Sequence, residues 1–204
     1  MVVRTHRQTV TFNEFMELIR DDEKADLIEG VIYMASPDNV EHNEDLAWLA
    51  KLLGVFAEMA GLAGITITVN RVAYRLSPNE APEPDIAVLL PEHRDRVRKG
   101  YVIGPPDIAI EIVSPSSVDR DYKMKRRQYE KGGVREYWIF DPDEKRSTFL
   151  VREGDRFVEV PTPDGVFASR VLPVFRLDTR WLWQQPRPPT IPLVQAMIEQ
   201  GRGE

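Results

Sequence analysis

Acidic side chains occur at two positions of this chain where the surrounding pattern is that of an apolar β-strand. Asp85 follows Pro84 and opens the apolar run 86–90, and Glu111 lies near the end of the run 107–113. A buried carboxylate is unfavourable unless it is paired or holds a metal ion. Mg²⁺ and Mn²⁺ prefer oxygen ligands, and Mg²⁺ typically binds one or two carboxylates together with water and a substrate phosphate. Asp85 and Glu111 are therefore candidate ligands of a divalent cation.

A lysine on the next predicted helix could complete such a site. The spacing predicts that Asp121, Lys125 and Tyr129 share one face of a helix over residues 118–131. Lys125 would orient a water molecule and counter the charge of a scissile phosphate, so this set suits metal-assisted cleavage of a phosphodiester. Two simpler interpretations stay open: Glu111 pairs with a cation in the core, and Lys125 forms a solvated ion pair with Asp121.

The composition is that of a globular protein with its own core. The chain has 204 residues, 42% hydrophobic and 29% charged, with a net charge of −6 that argues against coating nucleic acid by bulk electrostatics. It contains no cysteine, which excludes disulfides and thiolate metal sites. No apolar run approaches the roughly 18 residues of a membrane span, and residues 1–6 lack the apolar stretch of a signal peptide. We expect a cytoplasmic protein without membrane contact.

Helix and strand patterns alternate along the chain and predict a mixed α/β fold with helices on both faces of the sheet. The predicted elements are a helix after the Thr11–Glu14 capping box, a hairpin around Glu29-Gly30, a helix from an Asp38–Glu41 capping box to Gly61, strands at 65–69, 85–90, 107–113 and 134–140, and an edge meander over 147–160. We expect one domain over residues 1–183. The four prolines of segment 184–192 predict an arm without helix, followed by a short C-terminal helix within 184–204.

The order and spacing of these motifs resemble the Uma2 family. Its members form a large group of bacterial proteins, formerly a domain of unknown function, classed with the PD-(D/E)XK restriction-endonuclease-like nucleases. The resemblance covers roughly residues 10–183. It is carried by 29–34, Ser36-Pro37 followed by His42, Pro84-Asp85, 111–117, the Asp121/Lys125/Tyr129 series and 133–142.

The resemblance implies a restriction-endonuclease-like core, in which Asp85 and Glu111 bind Mg²⁺ or Mn²⁺ and a metal-activated water attacks the phosphodiester. The chain departs from the superfamily pattern at one position. The superfamily pattern has a lysine two residues after the position of Glu111, and this chain has Val113 there. In such relatives the lysine is thought to have moved to the following helix, where Lys125 is the matching position.

Further residues are candidates for accessory roles. Glu29 and His42 match family positions, although Glu29 also suits a turn beside Gly30 and His42 also suits capping or packing. Asp121 and Tyr129 are accessory candidates on the helix of Lys125, and Tyr129 also suits packing. Basic side chains that could contact nucleic-acid phosphates, or simply form solvated faces, are Arg94, Arg96, Arg98, Lys99, Lys123, Arg126 and Arg127.

The leading hypothesis is a Mg²⁺-dependent endonuclease that hydrolyses phosphodiester bonds in DNA. A homodimer is expected from analogy, because a two-fold pair cuts both strands most simply, and the segment 181–183, interpreted as exposed, and the C-terminal helix are candidate dimer surfaces. The alternative is a catalytically inactive nuclease-fold protein that binds nucleic acid or another partner, an interpretation that Val113 favours. A small-molecule hydrolase without metal lacks a recognisable nucleophile in this sequence.

Overall fold

The computed structural model describes residues 9–20, 22–36 and 39–201. The helices are α1 (Phe12–Leu18), α2 (Val40–Met59), α3 (Arg126–Gly132) and α4 (Thr190–Gly201), with short 3₁₀ segments at Pro91–Arg96 and Thr179–Trp183 and a π-helical segment at Arg120–Lys125. The strands are β1 (Ala25–Ile28), β2 (Val31–Met34), β3 (Thr66–Val69), β4 (Ala73–Arg75), β5 (Ile86–Leu89), β6 (Tyr101–Ile103), β7 (Ile108–Ile112), β8 (Glu136–Asp141), β9 (Arg146–Glu153), β10 (Arg156–Glu159), β11 (Val166–Ala168) and β12 (Arg176–Asp178).

The central sheet is mixed, as the sequence predicts. Its strands lie in the order β10-β9-β8-β7-β5-β3. Only β7 and β8 are parallel, because the π-helical segment and α3 form the crossover between them. Strand β5 is antiparallel to β7, with Ile86 opposite Ile110. The beginning of β5 and the end of β7 therefore lie at the same end of the sheet, which brings the flanking residues Asp85 and Glu111 together.

Helices cover both faces of this sheet. On one face α2 and α4 pack together and contribute Leu49, Phe56 and Val194 to the main core. On the other face Tyr129 of α3 packs against Tyr137 of β8, with ring centroids 4.8 Å apart. Successive strand residues point to opposite faces, so β7 and β8 are buried along their whole length.

Two predicted local motifs are confirmed in the N-terminal region. Thr11 and Glu14 form the capping box of α1, and the β1–β2 hairpin turns at Glu29 (φ 50°) and Gly30 (φ 73°). Helix α2 begins differently from the prediction. Its N-cap is Asn39, whose side chain accepts a hydrogen bond from the backbone of His42. The predicted cap Asp38 lies outside the described residues.

The helix predicted over 118–131 has a different geometry. It begins as a π-helical turn over Arg120–Lys125 and becomes α-helical only from Arg126. In this π-helical part, residues four apart do not lie directly above each other as they would in an α-helix. Lys125 Nζ nevertheless lies 4.0 Å from Asp121 Oδ1. Gly133 ends the helix with φ 92°, a left-handed conformation in which glycine carries no steric penalty.

The C-terminal region corrects two expectations. Helix α4 begins at Thr190, inside the segment predicted to lack helix, because Pro192 falls in its first turn where no intrahelical donor is required. The segment 181–183, interpreted as exposed from the sequence, is not exposed: Leu182 is buried and both tryptophans are partly buried against the main core. The small β4–β6 and β11–β12 pairs were not predicted, since strands of three residues carry little periodic signal. No helix in the described ranges has the length and apolar character needed to cross a bilayer.

Candidate active site

Asp85 is held at the end of the sheet where β5 begins. Its Oδ2 accepts a 2.7 Å hydrogen bond from the backbone N–H of Ile112, and its Oδ1 contacts the ammonium of Lys24. His42 Nε2 lies 3.6 Å from the same Oδ1. Burial alone would raise the pKa of this carboxyl, but Lys24 and His42 hold the pKa well below its usual range. Asp85 is therefore a buried carboxylate that is ionised at neutral pH.

Glu111 lies beside Asp85, one residue beyond the last paired position of β5 and β7, and it is 2% exposed. Its Oε1 accepts hydrogen bonds from Lys125 Nζ at 2.9 Å and from the Tyr129 hydroxyl at 2.6 Å. Burial raises the pKa of Glu111 to about 8, even though Lys125 opposes this shift. A carboxyl whose proton is held by burial and by the neighbouring carboxylates Asp85 and Asp121 can become a ligand when a divalent cation compensates its charge.

Lys125 connects the acidic residues at the centre of the site. Its Nζ contacts Glu111 at 2.9 Å, Asp26 Oδ2 at 3.1 Å and Asp121 Oδ1 at 4.0 Å. Burial favours the neutral amine, but these carboxylates raise the pKa of Lys125 above the usual range of lysine. Lys125 is therefore a permanent cation at the position where the sequence predicts a catalytic lysine.

The site is a cavity of about 200 Å³ that opens between hairpin β1–β2, the start of α2 and the loop after β7. Its inner wall carries the charged groups, and its mouth carries hydroxyls and a guanidinium. Ser36 Oγ lies 3.0 Å from Ser116 Oγ, which lies 3.2 Å from Ser114 Oγ. Arg120 lies beside them: its Nε lies 3.6 Å from Asp26 Oδ2, beyond hydrogen-bond distance, and its Nη1 donates to the Met34 carbonyl at 3.3 Å. Such a mouth can bind an anion.

Comparison with known proteins assigns the family. The family model described as "Uma2: Putative restriction endonuclease" matches residues 12–188, most of the chain. The chain belongs to the Uma2 family. The fold resembles the crystal structure at 1.96 Å of "a putative nuclease belonging to DUF820" from Anabaena variabilis ATCC 29413. The TM-score is 0.67 at 20% identity, covering 85% of this chain and 97% of that chain. No curated protein matches the chain.

This likeness confirms the restriction-endonuclease-like fold predicted from the Uma2 resemblance. The structure also shows where Val113 and Lys125 lie relative to the cavity. Val113 is a buried residue of the small core beside Tyr129 and takes no part in the cavity. Lys125 enters the same cavity from the helix that follows and contacts Glu111 directly. This Uma2 protein has no lysine two residues after Glu111, but Lys125 still supplies a cation to the cavity.

Two charged residues of the Uma2 site were missed by sequence reasoning. Asp26 lies in β1 among buried apolar neighbours and is itself 2% exposed. That is the same anomaly that identifies Glu111, so a signal for Asp26 was present in the sequence. Lys24, directly before β1, contacts Asp85 and Asn70. Nothing in the sequence pattern distinguishes Lys24 from a surface lysine.

The accessory candidates separate into two groups. His42 and Asp121 line the cavity, and Tyr129 reaches Glu111 from behind it through the 2.6 Å hydrogen bond. Burial raises the pKa of Asp121 to about 6, against the effect of Lys125. Glu29 instead occupies the exposed hairpin turn and does not line the cavity. The structure gives Glu29 the turn role that its neighbour Gly30 indicated.

The predicted basic contacts mostly lie away from the cavity. The loop after β5 lies at the opposite end of the sheet from Asp85, because β5 runs away from the site. Its arginines bond locally: Arg94 donates to Thr66 Oγ1, Arg96 to the Pro105 carbonyl, and Arg98 to the Asp95 carbonyl. On the π-helical segment the exposed Lys123 pairs with Asp119 at 2.7 Å. None of the basic side chains proposed from the sequence for phosphate contact lines the described cavity. Those side chains are Arg94, Arg96, Arg98, Lys99, Lys123, Arg126 and Arg127.

The donor set at the centre fits Mg²⁺ or Mn²⁺. Within the described residues no group of three or more acidic or histidine side chains is arranged to hold a metal ion. A Mg²⁺ site needs only one or two carboxylates, with water completing the octahedron. Asp85 and Glu111 supply adjacent hard oxygen atoms, and both acids already attract lysine ammonium groups. The pair is therefore suited to a divalent cation that retains several waters.

Proposed function

We propose that this Uma2 protein is a metal-dependent endonuclease that hydrolyses phosphodiester bonds in DNA. The observation that carries the proposal is the contact of Lys125 with Glu111 beside Asp85 in one cavity. Two acids and a lysine converging on one point are the groups that this chemistry requires. The family match, which names a restriction endonuclease, supports the same class of reaction.

In this proposal Asp85 and Glu111 would hold the cation, and the chain supplies positioning and charge. A cation held there would supply Lewis-acid chemistry, making a water molecule more acidic and offsetting negative charge on the phosphate and the leaving oxygen. Lys125 keeps its proton at neutral pH, so it acts as a hydrogen-bond donor that orients the attacking water and stabilises developing charge. It is not the general base of the reaction.

The remaining residues position these groups. Tyr129 donates to Glu111 and fixes the orientation of the carboxyl, while the backbone N–H of Ile112 fixes Asp85. Arg120 and the hydroxyls of Ser36 and Ser116 lie at the mouth, where they can contact phosphate oxygens of the substrate. The site thus combines a metal-binding floor with an anion-binding entrance.

The test is cleavage of supercoiled plasmid, single-stranded DNA and RNA with Mg²⁺ or Mn²⁺. Wild type is compared with Asp85→Asn, Glu111→Gln and Lys125→Met, and with Lys123→Met as the matched control on an exposed lysine two positions away. We expect plasmid cleavage by wild type and Lys123→Met and loss in the three site variants. Preferential cleavage of RNA would replace DNA as the substrate in this proposal.

The non-catalytic alternative has one structural observation in its favour. Asp85 and Glu111 each already have a lysine partner, Lys24 and Lys125, so both acids are accommodated in the fold without a metal ion. Absence of cleavage on every substrate, together with no change in melting temperature on adding Mn²⁺, would favour a nucleic-acid-binding or interaction protein. Sedimentation of the wild type tests the proposed homodimer independently of activity.

A further inference from the structure

Lys24 lies at the boundary between the site cavity and a second cavity of about 540 Å³. Lys24, Ala35 and Ser36 line both spaces, so the two cavities are adjacent. The second cavity is also lined by Asp22, Glu23, Met34, Asn43, Asn70 and Arg71. An ammonium at the end of a four-carbon side chain can therefore lie in either space while the backbone of Lys24 stays in place.

The contacts of Lys24 are few in comparison with those of Lys125. Lys24 Nζ bonds to Asp85 Oδ1 and, at 3.2 Å, to Asn70 Oδ1. Its side chain is 16% exposed, whereas that of Lys125 is 3% exposed and contacts three carboxylates. Of the two ammonium groups, that of Lys24 has fewer interactions to lose if it moves.

The charge balance of the site favours such a movement when a divalent cation binds. The acidic side chains that line the cavity are Asp26, Asp85, Glu111 and Asp121, and the basic ones with a fixed charge are Lys24, Lys125 and Arg120. With every group ionised, the carboxylates exceed the cations by one charge. A divalent ion would leave the buried cluster with excess positive charge, and an ammonium against Asp85 would repel it at short range.

We propose that Lys24 is a displaceable counter-ion that neutralises Asp85 in the metal-free protein and moves into the neighbouring cavity when a divalent cation binds. The inference rests on the proposed metal-dependent function. Lys24 and the cation compete for the same carboxylate, so the lysine lowers metal affinity while it stabilises the metal-free fold. In the second cavity the ammonium lies near Asp22 and Glu23, whose carboxylates also pair with Arg20.

The first experiment measures Mn²⁺ affinity from the free-ion electron paramagnetic resonance signal and by calorimetry. Lys24→Met is expected to bind Mn²⁺ at least about tenfold more tightly than wild type, because a competing charge beside the ligand has been removed. Lys123→Met, an exposed lysine outside the cavity, is the matched control and is expected to bind as wild type does. Lys24→Gln, which keeps a polar group near Asn70, serves if Lys24→Met does not fold.

The second measurement detects the movement itself. Acetylation by an N-hydroxysuccinimide ester, quantified by mass spectrometry, is expected to be faster at Lys24 with saturating Mg²⁺ than without it, while Lys125 stays unreactive. The displacement is overturned if wild type binds Mn²⁺ tightly and Lys24→Met binds it equally or more weakly. It is also overturned if Mg²⁺ does not change the acetylation of Lys24. Neither result contradicts the proposed metal site. Absence of Mn²⁺ binding by both proteins overturns the metal-dependent function itself.

Discussion

Two buried glutamates at opposite ends of the β7–β8 pair show what distinguishes a structural carboxylate from a functional one. Glu136, at the start of β8, is completely buried and accepts hydrogen bonds from Trp138 Nε1 at 3.0 Å and from Ser169 Oγ at 2.9 Å. Backbone N–H groups of Arg170 and Val171 also donate to it. Each donor is an uncharged group, and each belongs to a fixed part of the fold.

Glu111 is buried to the same degree but is surrounded differently. Its partners are a cation and a phenol, its neighbours include other carboxylates, and it lines a cavity. Burial raises the pKa of both glutamates, so the perturbation alone does not identify the functional one. The neutral donors of Glu136 satisfy it without any ligand, whereas in the proposed function the charged cluster around Glu111 would exchange Lys24 for a metal ion.

The largest expected effect is the loss of activity in Glu111→Gln. Replacing the carboxylate by an amide removes a proposed metal ligand, so cleavage is expected to fall by about a thousandfold or more. The free energy of unfolding is expected to stay close to that of wild type, because burial already favours the neutral form of Glu111 and the amide oxygen can still accept from Lys125 and Tyr129. Plasmid cleavage and urea denaturation on the same preparation measure both quantities. Retained cleavage would show that Glu111 is another structural carboxylate like Glu136.

Glu136→Gln is expected to give the opposite result. An amide NH₂ would face two of the donors that now point at a carboxylate oxygen, which leaves buried N–H or O–H groups unsatisfied. The free energy of unfolding should fall by about 3 kcal/mol, measured by urea denaturation, while cleavage at a temperature where the variant is folded stays at the wild-type rate. A loss of cleavage without a loss of stability would mean that Glu136 also has a functional role and would contradict the distinction drawn between Glu136 and Glu111.

The sequence predicted the elements better than the local geometry of the site. Apolar runs and turn residues located the central strands and the β1–β2 hairpin, since these signals are local. Glu111 stood out as a charge among apolar strand residues. Asp26, which sequence reasoning missed, carries the same signal, yet Glu136 also produces it and is structural. Which groups surround each acid depends on contacts distant in the chain, such as those of Ser169 with Glu136 and Lys24 with Asp85. A single sequence does not encode these contacts as a pattern.

Lys125→Met removes the cation beside Glu111 but keeps the carboxyl, so it tests whether the charged partner is what makes the surroundings of Glu111 functional. We expect cleavage to fall about a hundredfold, because the hydrogen-bond donor is lost but the proposed metal ligands remain. Mn²⁺ binding, followed by the shift in melting temperature, should persist. Lys123→Met carries the same chemical change on the exposed face and should cleave as wild type does. An equal loss in both variants would assign the effect to the helix and not to the ammonium.

Glu83 provides a third buried acid, one that supports the site without lining it. It accepts a hydrogen bond from the backbone of Ala25 at 3.2 Å, and its own N–H donates to Asp26 at 2.9 Å. Burial raises the pKa of Glu83 from 4.5 to about 7. The folded protein thus holds a proton that the unfolded chain releases between these pH values, so this carboxyl makes the fold less stable as pH rises through that window.

Glu83→Gln should remove that pH dependence, because the amide oxygen can still accept from Ala25 but carries no proton to lose. Between pH 5 and 7 the free energy of unfolding of wild type should fall by about 2 kcal/mol relative to Glu83→Gln, measured by urea denaturation at each pH. Parallel curves for the two proteins would mean that water reaches Glu83 and that its carboxyl titrates normally. A difference between the two proteins that is larger at pH 7 than at pH 5 is the expected result, and it would place Glu83, like Glu136, among the buried acids held by the fold alone.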